Sequence, residues 1–161
     1  LNAFEQVYKA KWLSMMGSKL GFAEAKKEDE NLITGLLDWM HANEADFTNT
    51  FRNLSQEEIP DGELFATESF QVWHTRWQAR LGEETQDLKS SFALMLSVNP
   101  AVIPRNHKVE EALQAGEEGD LKPFHNLMKA LEAPYEDSDH LPPYQSPPKP
   151  EEKVLQTFCG T

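Results

Sequence analysis

The sequence predicts an all-α fold: about seven amphipathic helices in an irregular bundle, followed by a proline-rich extended C-terminal arm. Apolar residues recur at three- and four-residue steps through most of the first 131 positions, the spacing that gathers them on one face of a helix. No stretch alternates with the period of two that a half-buried strand needs, and no internal repeat of fixed length occurs. Six prolines crowd positions 134–150, too many backbone donors removed for a helix to persist there. The expected division is therefore a helical domain over 1–133 and an arm over 134–161.

The first helix is expected over 1–20, with Phe4, Val7, Tyr8, Trp12, Met15 and Met16 on one broad face. Gly21 fits the left-handed stop after it, with Phe22 folding back as the apolar contact. Glu28, Asp29 and Glu30 suit the positive end of a second helix, which carries Leu32, Ile33, Leu36, Leu37, Trp39 and Met40 to about Ala42. A short third helix over 45–54 has Asp46 as its cap and Phe47, Phe51 and Leu54 facing one way. The turn-forming run at 53–62 is a loop. Phe70, Trp73, Trp77 and Leu81 then mark a fourth helix over 69–81, stopped at Gly82. A fifth, over 83–98, carries Leu88, Phe92, Met95 and Leu96.

The run Asn99-Pro100-Ala101-Val102-Ile103-Pro104-Arg105-Asn106 breaks the series. Each proline lacks a backbone N–H and pushes its predecessor toward extended geometry. Val102 and Ile103 are too apolar to leave in water, so the connector should be pinned to a core. Asn106 suits the start of a sixth helix, with Val109, Ala112 and Leu113 inward and glycines at 116 and 119 closing it. Asp120 caps a seventh, where Pro123 is tolerated in the first turn and Leu121, Phe124, Leu127, Met128 and Leu131 form the face. The last residues, from Val154, turn apolar again, which suggests a tip that docks.

Length and charge narrow the function classes. A chain of 161 residues is long enough for a real core. It opens on Leu1 with no initiator Met, so it reads as a piece of something longer or a processed product. No apolar run approaches the roughly 18 residues of a membrane span, and no secretory signal pattern is visible. Fifteen Lys and Arg against 27 Asp and Glu give a formal charge of −12. Such a surface repels phosphate backbones and anionic lipid, so neither nucleic acid nor membrane is expected as a partner.

Candidate sites are few. His41 and Glu44 lie one turn apart, but two ligands do not make a metal site and His is favourable at a helix C-terminus anyway. His74, His107, His125 and His140 are scattered. The tryptophans Trp12, Trp39, Trp73 and Trp77 sit at core spacing more than pocket spacing. Arg105, between the connector and a helix start, suits a structural ion pair better than a ligand contact. Cys159 is the single cysteine, third from the end and followed by two small residues. Two readings of it stand: an open, redox-active thiol, or a small apolar residue tucked into a groove. No nucleophile–base constellation, glycine-rich phosphate loop or basic patch is present, so no catalytic, cofactor-binding or metal residue is assigned.

The runs NPAVIPRNHKVEEAL (99–113), EEGDLKPFHNLMKAL (117–131), APY (133–135) and QTFCGT (156–161) together resemble the C-terminal part of the SelO/YdiU family. YKAKWLSMMGSKLGF (8–22) and ANEADFTNTFRNLS (42–55) agree, so the resemblance covers essentially the whole chain in order. It implies a helical region of a pseudokinase that transfers AMP from ATP to Ser, Thr or Tyr hydroxyls of proteins, using Mg or Mn. The kinase-like motifs belong to the N-terminal and central part of the family and are not found here. This chain alone should therefore not transfer AMP and should hold no cofactor. Its expected partners are the kinase-like N-terminal part of the same polypeptide and the protein substrates of that enzyme, in the cytoplasm. The resemblance carries over one functional residue, Cys159, where selenium-containing members have selenocysteine; it would act as a redox partner of a cysteine in the kinase-like part. The competing expectation is a free-standing acidic helical interaction module without activity. A small-molecule binder with a pocket among the tryptophans is a third.

Overall fold

The computed structural model describes residues 2–154, with side chains from residue 4 onward. Among them every regular element is helical, and none of the helices is long and apolar enough to cross a membrane. The chain divides into two compact units at Asn99/Pro100, within the predicted break.

The first unit holds five helices: α1 (Asn2–Lys19), α2 (Glu30–Ala42), α3 (Phe47–Leu54), α4 (Glu68–Leu81) and α5 (Leu88–Val98). Their termini follow from local chemistry. Gly21 adopts φ 85°, and the N–H groups of Gly21 and Phe22 donate to the carbonyls of Ser18 and Gly17. That is the paired closure of a left-handed helix stop, available at little strain because the residue is glycine. A second such stop ends α2, but there the left-handed residue is Glu44, at φ 51°, while Ala45 N–H reaches Met40 O at 2.9 Å. A side chain there costs on the order of 1–2 kcal/mol, so the tight α2–α3 corner is imposed by packing. Asp46 and Asp87 cap α3 and α5, their carboxylates each accepting a backbone N–H at 2.8 Å, from Asn49 and Ser90.

One apolar core unites these helices, through Leu20, Phe22, Ile33, Leu36, Phe51, Leu54, Phe70, Trp77 and Met95. α2 packs on α4, and α1 and α3 pack on α5. Phe70 lies against both Trp39 and Trp73, ring centroids 4.8 and 5.7 Å away. The indole N–H groups have partners: Trp39 donates to Thr67 Oγ1, Trp73 to Leu32 O and Trp77 to Leu20 O. Trp12 is half-buried against the same core.

Asn99 closes the unit and is fully buried. Its side-chain amide donates to Lys19 O at 2.9 Å and Ser55 Oγ at 3.0 Å. Its Oδ1 accepts from Lys19 Nζ at 3.2 Å, and its carbonyl accepts from Arg52 Nη1 at 3.0 Å. The ends of α1, α3 and α5 thus meet at one residue. Lys19 Nζ also lies 5.5 Å from the Phe51 ring centroid, and burial lowers the ammonium pKa.

The second unit is a hairpin of α6 (Asn106–Glu117) and α7 (Lys122–Leu131), with a single helical turn, α8 (Pro142–Gln145). Gly119, at φ 91°, closes α6. Asp120 Oδ1 accepts the Lys122 N–H at 2.9 Å to start α7. A small core of Ala101, Val102, Ala130 and Leu141 holds the connector, supported by Leu131 and Tyr144. Ala101 N–H donates to Pro134 O at 2.7 Å, and Gln145 Nε2 donates to Ala101 O at 3.0 Å.

Several expectations need correction. The broad α1 face is two faces: Met16 and Leu20 are buried, whereas Phe4, Val7, Tyr8 and Met15 are exposed. α5 starts at Leu88, because the Asp87 cap ends the turn that precedes it. The N-cap of α6 is Arg105, with Asn106 its first helical residue. Leu113, Leu121, Phe124 and Met128 face solvent, and only Leu127 and Ala130 of α7 are buried. The region from 134 does contain a helical turn: Pro142 and Pro143 occupy its first positions, where the missing N–H has no helical partner to lose.

Replacing Asn99 by Ala removes two donors and an acceptor from a water-free site and leaves Lys19 O and Ser55 Oγ short of a partner. Asn99→Ala should lower unfolding stability by about 2 kcal/mol, read as a fall in the urea midpoint; an unchanged midpoint would show that the node holds nothing.

Candidate functional site

The most developed concavity of the first unit is a cleft of about 750 Å³ between α4, the loop that precedes it and the start of α5. α4 supplies Phe70, His74, Trp77 and Leu81 at four-, three- and four-residue steps, which stacks them along one stripe of the helix. Ile59 and Phe65 form part of the opposite wall, and Leu88 and Phe92 line the α5 side. His74 lies at the centre of the stripe. Its ring stacks on Phe70 at 5.6 Å and tilts against Trp77 at 5.3 Å. Burial in this aromatic setting lowers its pKa from the ordinary imidazole value, because a charged ring would lose water without gaining an acceptor.

Several polar groups around the cleft hold the unit together. Glu84 Oε1 accepts Arg80 Nη1 at 2.6 Å and its Oε2 accepts the Ala23 N–H at 2.9 Å. Gln86 Nε2 donates to Gly21 O and Ser91 Oγ. Asp87 is the cap of α5, and its hydrogen bonds from Ser90 hold its carboxyl below the usual range. Arg80 forms a buried hub: Nε and Nη2 reach Asp29 Oδ1 and Oδ2 at 2.7 and 3.1 Å. Its guanidinium carbon lies 4.4 Å from the Phe22 ring centroid. Burial alone would lower the Arg80 pKa, but the hydrogen bonds and charges of Asp29 and Glu84 outweigh it and the net shift is upward.

No Ser, Thr, Cys, Tyr, Lys or Arg lines the cleft. It therefore offers no hydroxyl, thiol or amine to attack an electrophile and no lysine or arginine to hold a phosphate. Its aromatic stripe suits an apolar or aromatic group, while Gln56, Glu57, Asp61 and Gln78 add polar lining.

The sequence candidates are not brought together. His41 and Glu44 are both exposed at the end of α2, and no three His, Cys, Asp or Glu gather as a metal site among the described residues. His107 lies near Glu152 in the second unit, His125 touches Phe124, and His140 shares a hydrogen bond with Ser138. Of the tryptophans only Trp77 lines the cleft, and it is almost wholly buried. Arg105 is buried at the α6 N-cap, its carbonyl accepting from Lys108 and Val109. Cys159 lies outside the described residues.

Sequence reasoning passed over Arg80 and Arg52, two buried arginines that bind the first unit internally. A signal for Arg80 was present: it lies between Trp77 and Leu81 on an apolar stripe with Glu84 one turn on, where a solvated arginine is out of place.

The lowered His74 pKa fixes a pH response. The unfolded chain binds a proton at this ring near 6.5, the folded chain only at lower pH. Stability from the neutral ring is thus complete above the unfolded value and declines as pH falls through that window. Between about pH 7.5 and about pH 5.5, the native chain should lose melting temperature and His74→Gln should lose less; parallel curves would refute the assignment.

Comparison with known proteins places this architecture. The family model for protein adenylyltransferase SelO matches residues 1–132. The chain is 53% identical over 162 positions to the protein nucleotidyltransferase YdiU of Alcanivorax borkumensis, covering all of this chain and 34% of that protein. It is 44% identical to the YdiU of Nitrosococcus oceani and 45% identical to that of Pelagibacter ubique, covering 33% of each. The chain thus spans about one third of the length of the curated relatives it matches. With the family model matched from the first residue through most of the helical region, this chain belongs to the SelO family.

Proposed function

We propose that this chain is the helical C-terminal region of a SelO-like protein adenylyltransferase, and that it supports the reaction without performing it. The whole enzyme would transfer AMP from ATP, with Mg or Mn, to Ser, Thr or Tyr hydroxyls of cytoplasmic protein substrates. A kinase-like N-terminal part of the same polypeptide would carry the nucleotide. The observation that carries this reading is the alignment of all 161 residues with one third of YdiU relatives.

The cleft does not fit the phosphates of ATP, and no three His, Cys, Asp or Glu gather as a metal site among the described residues. The cleft offers no lysine or arginine for phosphate, and two of its carboxylates, Glu84 and Asp87, are already held by Arg80 and by the start of α5. No step of the transfer is therefore assigned to a residue of this chain. A free-standing interaction module accounts less well for Phe4, Val7, Tyr8 and Met15, which are uncovered on α1. Cys159 would supply redox control: its thiol and a cysteine of the kinase-like part would lose two electrons and two protons to a cellular disulfide, forming a tether that biases the enzyme between states.

Full-length polypeptide given ATP labelled at the α-phosphate should pass label to protein, and ATP labelled at the γ-phosphate should not. The 161-residue chain alone should pass neither. Cys159→Ser in the full-length protein should abolish any response of transfer to thiol reductants. Label from the γ-position, or transfer by this chain alone, would defeat the reading; a reductant response that survives Cys159→Ser would defeat the tether.

A further inference from the structure

α1 has more apolar surface than the first unit can cover. Its second half enters the core through Met16 and Leu20, with Trp12 and Leu13 packed against it. Its first half does not: every residue from Phe4 to Lys11 is exposed. At about 100° per residue, Phe4, Tyr8, Lys11 and Met15 fall within about 60° of one another, with Val7 beside them. The residues that enter the core lie roughly 120° further round. Phe4 is 74% exposed, Val7 61%, Tyr8 60% and Met15 52%. Phe4 and Tyr8 stack on one another, centroids 6.4 Å apart, and form a continuous ridge.

A free ridge of this kind is unfavourable in two ways. Apolar side chains this exposed forgo roughly 25 cal/mol per Å² of burial. A helical segment with no core beneath it is marginal, because isolated helices shorter than about 12–15 residues barely form in water. The exposed Glu5–Lys9 pair, at 2.7 Å, adds little at such a surface. A partner that buried the ridge would remove both defects.

We propose that Phe4, Val7, Tyr8 and Met15 form a docking ridge that seats in an apolar groove of the remaining two thirds of the same polypeptide. This rests on the functional reading above and specifies where the two parts meet. The occupant follows from size and linkage. The relatives carry about twice this chain's length again beyond the matched region, and a covalently joined partner acts at high effective concentration. A second copy is the weaker candidate, since the ridge runs only from residue 4 to residue 15. That is fewer than two heptads, against the three or four that sustain a helix pair. Anchors one helical turn apart, and a further pair of turns on, match the way an amphipathic helix enters a groove.

Hydrogen–deuterium exchange of the full-length polypeptide, the 161-residue chain and a full-length Phe4→Glu/Tyr8→Glu variant tests this. Amides of residues 4–15 should exchange at least tenfold more slowly in the full-length protein than in the chain alone, and the variant should lose that protection. Amides of α4 should stay protected throughout, as the sign that the first unit is folded. If the variant loses them too, the milder Phe4→Ser/Met15→Ser pair takes its place. Equal exchange of residues 4–15 in the long and short proteins would overturn the ridge, even where α-phosphate label is transferred. Protection in the short chain that grows with its concentration would assign the ridge to a second copy and overturn the proposal. Protection in the full-length protein without α-phosphate transfer would uphold the ridge and defeat the functional reading.

Discussion

A single carboxamide holds the first unit closed. Asn99 is wholly buried, and it binds the end of α1 through Lys19, the end of α3 through Ser55 and Arg52, and its own helix through its backbone N–H. Amide, carbonyl and side chain are all used, which is what a water-free position demands. Because three helices share it, none can shift without leaving a buried donor or acceptor unmet. The neighbouring Pro100 cannot donate a backbone hydrogen bond, so the chain leaves this node and starts a separate unit.

A second buried hub performs the same task in the last turn of α4. Arg80 joins Asp29, at the entry to α2, with Glu84 beyond the end of its own helix, over the face of Phe22. Planar guanidinium geometry allows two carboxylates and one ring to be served at once. The consequence for function is negative but useful. Asp29 and Glu84 are here held by Arg80, and the cleft beside them has an aromatic floor with His74 at its centre.

Helix existence was legible in the sequence because the apolar spacing that drives burial is local. The stop at Gly21 and the cap at Asp46 were legible for the same reason, whereas the N-cap of α7 is Leu121 and not the expected Asp120, which precedes it and accepts the Lys122 N–H. What a helix face meets was not legible. Phe4, Tyr8, Phe124 and Met128 carry the same periodic signal as Leu36 or Phe70, and only the fold decides which of them finds a core. The left-handed Glu44 had no sequence signature, because a tight corner forced the backbone where glycine would have been easier. Arg52 was hidden because charged residues are expected at the surface and its carbonyl partners lie 44 and 47 positions away; Arg80 showed only its near partner Glu84, with Asp29 51 positions away. The family itself was legible, through the asparagine–proline break and the runs around it; the cleft was not.

These features describe a unit tied together by buried hubs, with an apolar ridge left uncovered on α1. Tryptophan emission of the 161-residue chain during titration with magnesium ATP tests the proposed function most directly, since Trp77 forms part of an aromatic-walled cleft and three indoles are hydrogen-bonded in the core. The account predicts a flat trace up to millimolar nucleotide. A saturable change in intensity or wavelength would contradict it, by showing that this part of the polypeptide holds the nucleotide itself.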